Sequence, residues 1–546
     1  MALMDSPRCS ATTPRLNAPA RATSSHPNFR ATPPMRTPRR GPRTDTRRGV
    51  YSAPVVAVRC VRDGMSDPEG SPSAMNAPFR RPRAVLLFLL AGLLTACATP
   101  RVASKPVSAS GPEVWRSRGY GWLLTVTLEG LRLHHETAAW CYPDPASSSE
   151  LKQMFGVQEP GPSEDIRDFF AAPGETRYRF DRIAALPADC DAHPVWSAPE
   201  LFDVFRATFA EHYAYFPERG PDWLARLEAE RPRVSPGMDD RALFTLFAES
   251  LRMLGDAHVE LLADDARSDT LTYEERATGT LALLEQEARR TGRTPKAVQK
   301  EWLGAYRDGI LQTVLRGQGH HVANQRVFWG FAAPGVGYLN VMTMGGFVAA
   351  TDGDDATPEQ ELAALEPVLD DAMASFAGAT AVIVDVSNNR GGHDVVSRAI
   401  AARFADRPRP AYSKWAHGAK HVPPQEFILT PTSRPAFHGP VQLVTSDVTV
   451  SAGEVFTLAM RALPQVLHVG TRTRGSFSDV LVKPLPNGWT LHLSNEHYTD
   501  ARGEDFEARG APPQQSLDVF PEADLSHGHA RAIRALADSL TVRDAK

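Results

Sequence analysis

The sequence predicts an α/β fold. From Gly335 onward, short runs rich in β-branched residues alternate with helical segments, as in a sheet covered by helices. The six strand-like runs are 336–342, 381–386, 441–445, 466–469, 480–483 and 490–493. Helix starts between them carry N-cap signals, with Thr357 before Pro358 and Ser451 after an apolar run. The second half of the chain is therefore expected to form the main sheet.

Amphipathic helices are predicted ahead of this sheet. Ser197 and Glu200 have the spacing of a capping box, and apolar residues then recur at helical spacing as far as Phe216. A second helix, 240–254, leads directly into His258. Residues 270–318 also have a helical pattern, whereas 113–196 is irregular apart from a strand-like run at 120–133. The predicted divisions are an N-terminal region 113–196 without an assigned role, a helical domain 197–330, a core 331–525 and a C-terminal helix 526–546.

Composition excludes several classes of partner. The chain has 546 residues, a net charge of -4 and 42% hydrophobic residues, which describes an ordinary soluble protein and excludes nucleic acid as a partner. The histidines are scattered, and the pairs His134-His135 and His320-His321 have no carboxylates at ligand spacing. No metal and no cofactor is therefore predicted, and the sequence does not specify an oligomeric state.

The N-terminal segment has the features of an export signal. Residues 1–74 form an Arg-rich leader without apolar periodicity, which is expected to be disordered or untranslated, with Met75 as the better start. A basic stretch, the apolar run 84–94 and small residues before Cys97 then predict a signal peptide at 75–97. The segment before Cys97 resembles a bacterial lipobox, which implies that Cys97 is acylated; a soluble signal peptide with an incidental cysteine is the alternative.

A lipid on Cys97 implies a location for the protein. Residues 98–112 are rich in Ala, Ser and Pro and are expected to be a flexible tether. The chain would then be anchored to a membrane of the bacterial cell envelope, at the outer membrane facing the periplasm. In that oxidising compartment Cys141 and Cys190 are either joined by a disulfide or are two buried thiols.

Ser451 is the candidate nucleophile. It follows an apolar strand and a turn and precedes the helical run that begins at Ala452, so it is expected at a helix N-terminus. There its hydroxyl would be exposed, and the helix dipole would favour developing negative charge, as in a nucleophile elbow. An ordinary N-cap serine fits the same pattern.

A glycine-rich turn supplies a candidate oxyanion hole. The buried run 381–385 ends in a turn at 388–392, whose Gly391 and Gly392 amides, together with that of Ala452, can point at one oxygen. A tight strand-to-helix turn also needs glycine, which is the structural alternative. His258, after the second helix, is the candidate base, with His320, His321 and His393 as competitors.

Seven segments in order resemble the carboxy-terminal-processing peptidase family, which includes tricorn-type proteases and interphotoreceptor retinoid-binding modules. They are 255–261 (GDAHVEL), 335–339 (GVGYL), 384–392 (VDVSNNRGG), 451–454 (SAGE), 470–475 (GTRTRG), 485–488 (LPNG) and 503–513 (GEDFEARGAPP). The resemblance spans about 198–520. It implies a crotonase/ClpP-like ββα core preceded by a helical bundle, and peptide-bond hydrolysis through an acyl-serine. No PDZ domain is evident, because 259–334 lacks the expected strands.

The resemblance also implies which groups act on Ser451. Processing peptidases place a lysine after the 470–475 block, where this chain has Ser476, and Lys483 belongs to a later strand. Tricorn-type members use a histidine and a glutamate, which correspond to His258 as base and Glu507 as the carboxylate that orients it. Ala257 stands where tricorn has a relay serine, so a relay hydroxyl would come from Ser476 or Ser478. Arg390 stands where the family has a small residue before the two glycines, and it could bind a substrate carboxylate.

Three functions remain open at this stage. The first is a lipid-anchored serine endopeptidase acting on a peptide or protein substrate. The second is a catalytically silent module that binds peptides or hydrophobic ligands on the same fold. The third is an esterase that uses the same residues on small acyl esters.

Overall fold

The structure, a computed structural model, describes residues 111–192, 195–263, 271–273, 277–349 and 356–543. The leader, the signal peptide, the lipidation residue Cys97 and nearly all of the predicted tether lie outside the described residues. In the part of the chain that is described, no helix has both the length and the apolar character needed to span a membrane.

The N-terminal region forms an antiparallel sheet of seven strands in the order β4-β3-β2-β1-β7-β6-β5. Its elements are β1 (Glu113–Ser117), β2 (Trp122–Val126), β3 (Leu131–Glu136), β4 (Cys141–Pro143), α1 (Ser148–Phe155), β5 (Val157–Pro160), β6 (Ile166–Phe170) and β7 (Tyr178–Ile183). The run predicted as one strand at 120–133 is split, because Gly130 adopts a φ of 143° in the turn before β3. A disulfide joins Cys141 to Cys190, with the Cα atoms 4.4 Å apart.

A helical segment follows and shares a hydrophobic core with the N-terminal sheet. Its elements are α2 (Ala198–His212), α3 (Phe216–Arg219), α4 (Trp223–Glu230), α5 (Asp240–Leu251), β8 (Glu260–Ala263) and β9 (Leu271–Tyr273). The capping box of Ser197 and Glu200 is present. Helix α2 ends at His212 rather than near Phe216, because Tyr213 is extended and directs its hydroxyl to the Asp256 carboxylate at 2.9 Å.

The second half of the chain contains the main sheet, of order β10-β11-β12-β13-β16-β17-β21, in which β12 and all strands after it pair in parallel. Its elements are α6 (Gly279–Thr291), α7 (Pro295–Asp308), β10 (His320–Val322), β11 (Val327–Ala333), β12 (Val336–Val341), α8 (Pro358–Ser375), β13 (Ala381–Asp385), α9 (Asp394–Ala402), β14 (Arg409–Ala416), β15 (Gln425–Leu429), β16 (Val441–Thr445), α10 (Ala452–Arg461), β17 (Val466–Gly470), β18 (Val480–Pro484), β19 (Thr490–Ser494), β20 (Glu496–Asp500), β21 (Gln515–Ser516) and α11 (Gly528–Arg543).

This arrangement confirms the predicted α/β fold class. All six predicted strands are present within one residue of their predicted bounds, and the chain also forms two smaller sheets, β15-β14-β20 and β18-β19-β8-β9. Helices α8, α9 and α10 cover one face of the main sheet and α6, α7 and α11 the other, so its central strands are buried on both sides. Between β9 and β10 the described residues are helical, and they include no PDZ domain.

The sheet places two candidate segments at one edge. Strands β13 and β16 are parallel neighbours, with Asp385 opposite Val444, so both chains leave the sheet at the same end. The turn after β13 contains Gly391 and Gly392, and the turn after β16 leads to Ser451. Ligand sites in parallel α/β sheets form at the carboxyl ends of the strands, which is where these residues meet.

Candidate active site

Ser451 occupies an unusual backbone conformation. Its φ is 57° and its ψ is -128°, a region that costs a non-glycine residue about 1–3 kcal/mol. The N-cap Ser197, by contrast, has the ordinary extended values of -82° and 159°. Ser451 is partly exposed, and its Oγ has no hydrogen-bond partner among the described residues. A strained serine between a strand and a helix is the geometry of a nucleophile elbow.

The glycine turn lies directly against Ser451. A Cβ atom added to Gly391 would be 2.7 Å from the Ser451 Cβ, and one added to Gly392 would be 2.4 Å from the Met344 carbonyl oxygen. Both glycines have positive φ angles, of 84° and 138°. Any side chain here would clash with the backbone or with Ser451, so the close approach requires glycine at both positions.

The structure corrects the predicted oxyanion hole at one position. The Gly391 amide donates to Asn389 Oδ1 at 2.9 Å and is therefore not directed at Ser451. Asn389 Nδ2 donates to the Val341 carbonyl oxygen at 2.9 Å, and this bond fixes the turn. The Gly392 and Ala452 amides have no acceptor within the described part of the chain. Two of the three predicted donors are thus available for an anionic oxygen beside Ser451.

His258 lies in the loop between α5 and β8 with only 2% of its surface exposed. Its backbone amide donates to Asp256 Oδ1 at 3.0 Å, but neither ring nitrogen has a hydrogen-bond partner among the described residues. Burial lowers the pKa of His258, while the charges of Asp256 and Asp479 partly oppose this shift. The ring is therefore neutral near pH 7, which is the form that accepts a proton.

The predicted contact between Glu507 and His258 is absent. Glu507 Oε1 accepts from Arg219 Nη2 at 2.7 Å, and Oε2 accepts from the amides of Phe477 and Ser478 at 2.7 and 3.2 Å. Both carboxylate oxygens are thus engaged away from the imidazole. No hydrogen bond joins any two of the three predicted catalytic residues, Ser451, His258 and Glu507.

Ser476 likewise does not act as the predicted relay hydroxyl in this geometry. Its Oγ is buried and lies 3.4 Å from Arg219 Nη2, with no bond to His258. The Ser476 carbonyl oxygen, however, accepts the Ser451 amide at 3.1 Å. Ser476 therefore fixes the backbone of Ser451 rather than the ring of His258.

Two buried carboxylates hold the backbone of this segment, which we call loop 475–478. Glu454 accepts the amides of Gly475 and Ser476 at 2.7 and 2.8 Å, and Glu507 accepts the next two amides. Burial raises the pKa of both side chains, while the amide donors and, for Glu507, the Arg219 guanidinium oppose this shift and favour the ionised forms that accept these bonds. Four consecutive amides are thereby fixed beside Ser451.

Arg219 connects loop 475–478 to the segment that carries His258. Its guanidinium donates to the Gly255 carbonyl oxygen and, at 2.6 Å, to the Gly475 carbonyl oxygen. It also donates to Glu507 and lies 3.5 Å from the Asp256 carboxylate. The nearby carboxylates outweigh burial and raise the pKa of Arg219 above its ordinary value. The segments of the three predicted catalytic residues therefore converge on one loop, although their side chains do not pair.

Sequence reasoning missed three residues that organise this site. Glu454 stands within the SAGE block and Asn389 within the VDVSNNRGG block, so both were in the matching segments but had no assigned role. Arg219 had no sequence signal, since it ends a short helix outside every block. Its partners come from three distant parts of the chain.

A protein-family model matches the part of the chain that contains Ser451 and Glu507. Residues 335–517 match the family model described as Peptidase family S41, which confirms the resemblance and supports a serine-type peptidase. No curated protein sequence matches the chain.

Solved structures also resemble the chain. A Parabacteroides merdae protein assigned as a peptidase is 22% identical with a TM-score of 0.49, covering 63% of this chain and 97% of that one. The photosystem II D1 C-terminal processing protease is 14% identical with a TM-score of 0.36, covering 63% and 99%. The tricorn protease is 12% identical with a TM-score of 0.35, covering 77% and 43%.

Replacing Glu507 should destabilise the folded protein. The change Glu507→Ala leaves two amides without their acceptor and removes one of the two carboxylates beside the buried Arg219 guanidinium. Loss of one partner of a buried ion pair costs about 3–5 kcal/mol. Urea denaturation at pH 7 measures the change in the free energy of unfolding.

Two controls define the result. Glu507→Gln keeps an acceptor for the amides and should lose less stability than Glu507→Ala. Glu228→Ala removes an exposed glutamate 3.5 Å from Arg206 and should change stability by about 0.5 kcal/mol or less. Equal losses for Glu507→Ala and Glu228→Ala would contradict the role given to Glu507.

Proposed function

With the match of residues 335–517 to peptidase family S41 as the premise, we propose that the protein is an exported, lipid-anchored serine endopeptidase that hydrolyses peptide bonds through an acyl-serine. The observation that carries the proposal is Ser451 itself. It is held at a φ of 57°, at a helix N-terminus and against a glycine turn, and its hydroxyl has no hydrogen-bond partner in the described part of the chain.

The reaction proceeds in two halves. Ser451 Oγ attacks the scissile carbonyl carbon while His258 accepts the hydroxyl proton, and the tetrahedral oxyanion receives hydrogen bonds from the Gly392 and Ala452 amides. Collapse breaks the C–N bond, and His258 returns the proton to the leaving amine. Water then attacks the acyl-serine by the reverse sequence, which regenerates the Ser451 hydroxyl and releases the carboxylic acid product.

The role of His258 as base rests on two observations. Its ring is neutral near pH 7 and both ring nitrogens lack a partner among the described residues, so either can accept a proton. Asp256 and Asp479 favour the charged form that follows proton transfer. Hydrogen bonds between base and nucleophile often form only with substrate in place, so a base without one in the free protein remains compatible with this role.

Glu507 has an indirect role in this mechanism. It holds loop 475–478 and neutralises Arg219 instead of contacting the imidazole. Through the bond from the Ser451 amide to the Ser476 carbonyl oxygen, this loop positions the nucleophile. Glu507 and Ser476 are therefore positioning residues.

The silent binding module is the second candidate. It is favoured by one observation, that Ser451 and His258 are not hydrogen bonded in the structure. A binding module has no need for a strained, reactive serine, and the labelling experiment below separates the two functions.

Ser451 should react with a fluorophosphonate probe in the folded protein. Ser451→Ala should abolish labelling, and His258→Asn should lower its rate about 10²–10⁴-fold, because a general base contributes that much. In-gel fluorescence against time gives the rate. Ser197→Ala, which removes an ordinary N-cap serine, should label at the wild-type rate. Absence of labelling in the folded wild-type protein favours the binding module.

The labelling rate should depend on pH in a defined direction. His258 acts in its neutral form, and burial lowers its pKa, so the rate should rise with pH and reach half its maximum below about pH 6.5, the ordinary histidine value. Asp479→Asn should move the midpoint lower still, since Asp479 raises the pKa of His258. A midpoint above pH 6.5, or a rate independent of pH, would argue against His258 as the base.

Export and lipid attachment are tested separately. When the full chain is expressed in a bacterial host with an alkyne fatty acid, the wild type should incorporate the label and fractionate with membranes. Cys97→Ser should do neither, because thioether and amide attachment both require that cysteine. Label retained by Cys97→Ser, or a soluble wild type, would refute the anchor without affecting the peptidase proposal.

A further inference from the structure

A cavity of about 360 Å³ opens beside Ser451 and Gly392, both of which line it. This volume lies within the range of sites that bind small ligands or single side chains. The cavity is the space into which a group attached to the attacked carbonyl carbon would extend. Its lining therefore bears on substrate choice.

One wall of the cavity comes from the N-terminal sheet, for which the sequence suggested no role. Tyr120 and Trp122 stack with ring centroids 4.7 Å apart, and Tyr178 meets them edge-on at 5.0 and 5.2 Å. Met154 of α1 also lines the cavity. These residues provide a continuous aromatic surface that can cover an alkyl chain and face a cation.

The remaining lining is acidic. Five acidic residues line the cavity among the residues that the structure describes, and they are Glu175, Glu359, Asp394, Asp479 and Glu496. The basic residues in the same lining are Lys152, which is exposed, and Arg398. Arg398 donates to the Tyr412 hydroxyl and to the Gly174 carbonyl oxygen, and its charge also favours the ionised forms of Asp394 and Glu175 without a direct ion pair.

A buried lysine outside the lining offsets part of this charge. Lys414 lies 3.1 Å from Asp479 and 2.8 Å from Glu496, and it therefore compensates about one of the two carboxylates. The Asp479 side chain is still 45% exposed. Glu175 and Asp394 have no ion pair within 4.0 Å among the described residues. Burial raises the pKa of Glu175 and raises that of Asp394 to about 7, while the charges of Arg398 and Lys414 favour the ionised forms of both. Three cations, Lys152, Arg398 and Lys414, stand against the five carboxylates, so an excess of negative charge faces the cavity when the carboxylates are ionised.

One buried acceptor in the lining has no hydrogen-bond donor among the described residues. Asn495 lines the cavity and is fully buried, and its Oδ1 accepts no hydrogen bond from the described residues, although its Nδ2 donates to two carbonyl oxygens. A buried acceptor without a donor is costly. The unmet group here is an acceptor, which calls for a ligand that brings N–H groups.

We propose that this cavity binds the lysine or arginine side chain of the residue whose carbonyl group Ser451 attacks. The alkyl stem would lie on the aromatic wall of Tyr120, Trp122 and Tyr178, and the cationic end would reach the carboxylates. The inference rests on the proposed peptidase function and gives the N-terminal sheet a role as the specificity wall. An acidic side chain is excluded by repulsion, and an uncharged chain of equal length gains only the apolar contact.

The test compares peptides that differ at one residue. Fluorogenic peptides, blocked at the N-terminus, carry Lys, Arg, norleucine or Glu before the scissile bond, and kcat/KM is measured with the full folded chain. The Lys and Arg peptides should exceed the norleucine peptide about tenfold, which corresponds to about 1.4 kcal/mol. The Glu peptide should be the poorest.

Matched variants assign the preference to the cavity. In the double variant Glu175→Gln, Asp394→Asn the ratio of kcat/KM for the Lys peptide to kcat/KM for the norleucine peptide should fall about tenfold. Glu522→Gln, an exposed acid outside the cavity, should keep the wild-type ratio. A ratio unaffected by the double variant overturns the assignment of the pocket.

Binding measurements separate this inference from the proposed function. Peptide binding to Ser451→Ala, followed by fluorescence anisotropy, should be tighter for Lys than for norleucine even if the protein has no turnover. Labelling and cleavage without a preference for Lys or Arg would overturn the proposed role of the cavity and leave the proposed peptidase function unaffected. Tighter binding of the Lys peptide without labelling or cleavage would support the proposed role of the cavity and overturn the proposed peptidase function.

Discussion

The site depends on two buried carboxylates, Glu454 and Glu507, that together hold the four consecutive amides of loop 475–478. Backbone amides in a buried loop must find acceptors, and without these side chains the loop could not stay in this conformation. The loop in turn receives the Ser451 amide, so the strained conformation of the serine is maintained by contacts to a different part of the chain. Arg219 ties the same loop to the segment of His258.

The sheet provides the second constraint. Parallel strands β13 and β16 end at one edge, so the glycine turn and the serine are neighbours although about sixty residues separate them. Close contact then requires glycine at Gly391, because any side chain there would meet Ser451. Asn389 fixes the turn by bonding both the Gly391 amide and the Val341 carbonyl oxygen. Two amides are left for an oxyanion because the third is committed to Asn389.

Local patterns in the sequence predicted the strands, the helix starts and the segments that meet at the site, because β-branched runs, capping residues and glycine turns act through near neighbours. They did not predict the contacts of Glu507, which bonds Arg219 and the backbone instead of His258, since its partners are distant in sequence. The direction of the Gly391 amide depends on an Asn389 rotamer and was likewise not predicted. The N-terminal sheet was missed because its strands are short and its turns irregular; only the fold places its aromatic residues beside Ser451.

The crystal structure of the protein after reaction with a fluorophosphonate would test the central claim most directly. We expect the phosphorus atom bonded to Ser451 Oγ, one phosphonyl oxygen about 3 Å from both the Gly392 and Ala452 amides, and a His258 ring nitrogen within hydrogen-bond reach of Oγ or of the adduct. A reagent attached to another residue, or a phosphonyl oxygen directed away from both amides with His258 still remote, would contradict the account. In that case the fold would carry a binding function, and the conformation of Ser451 would need another explanation.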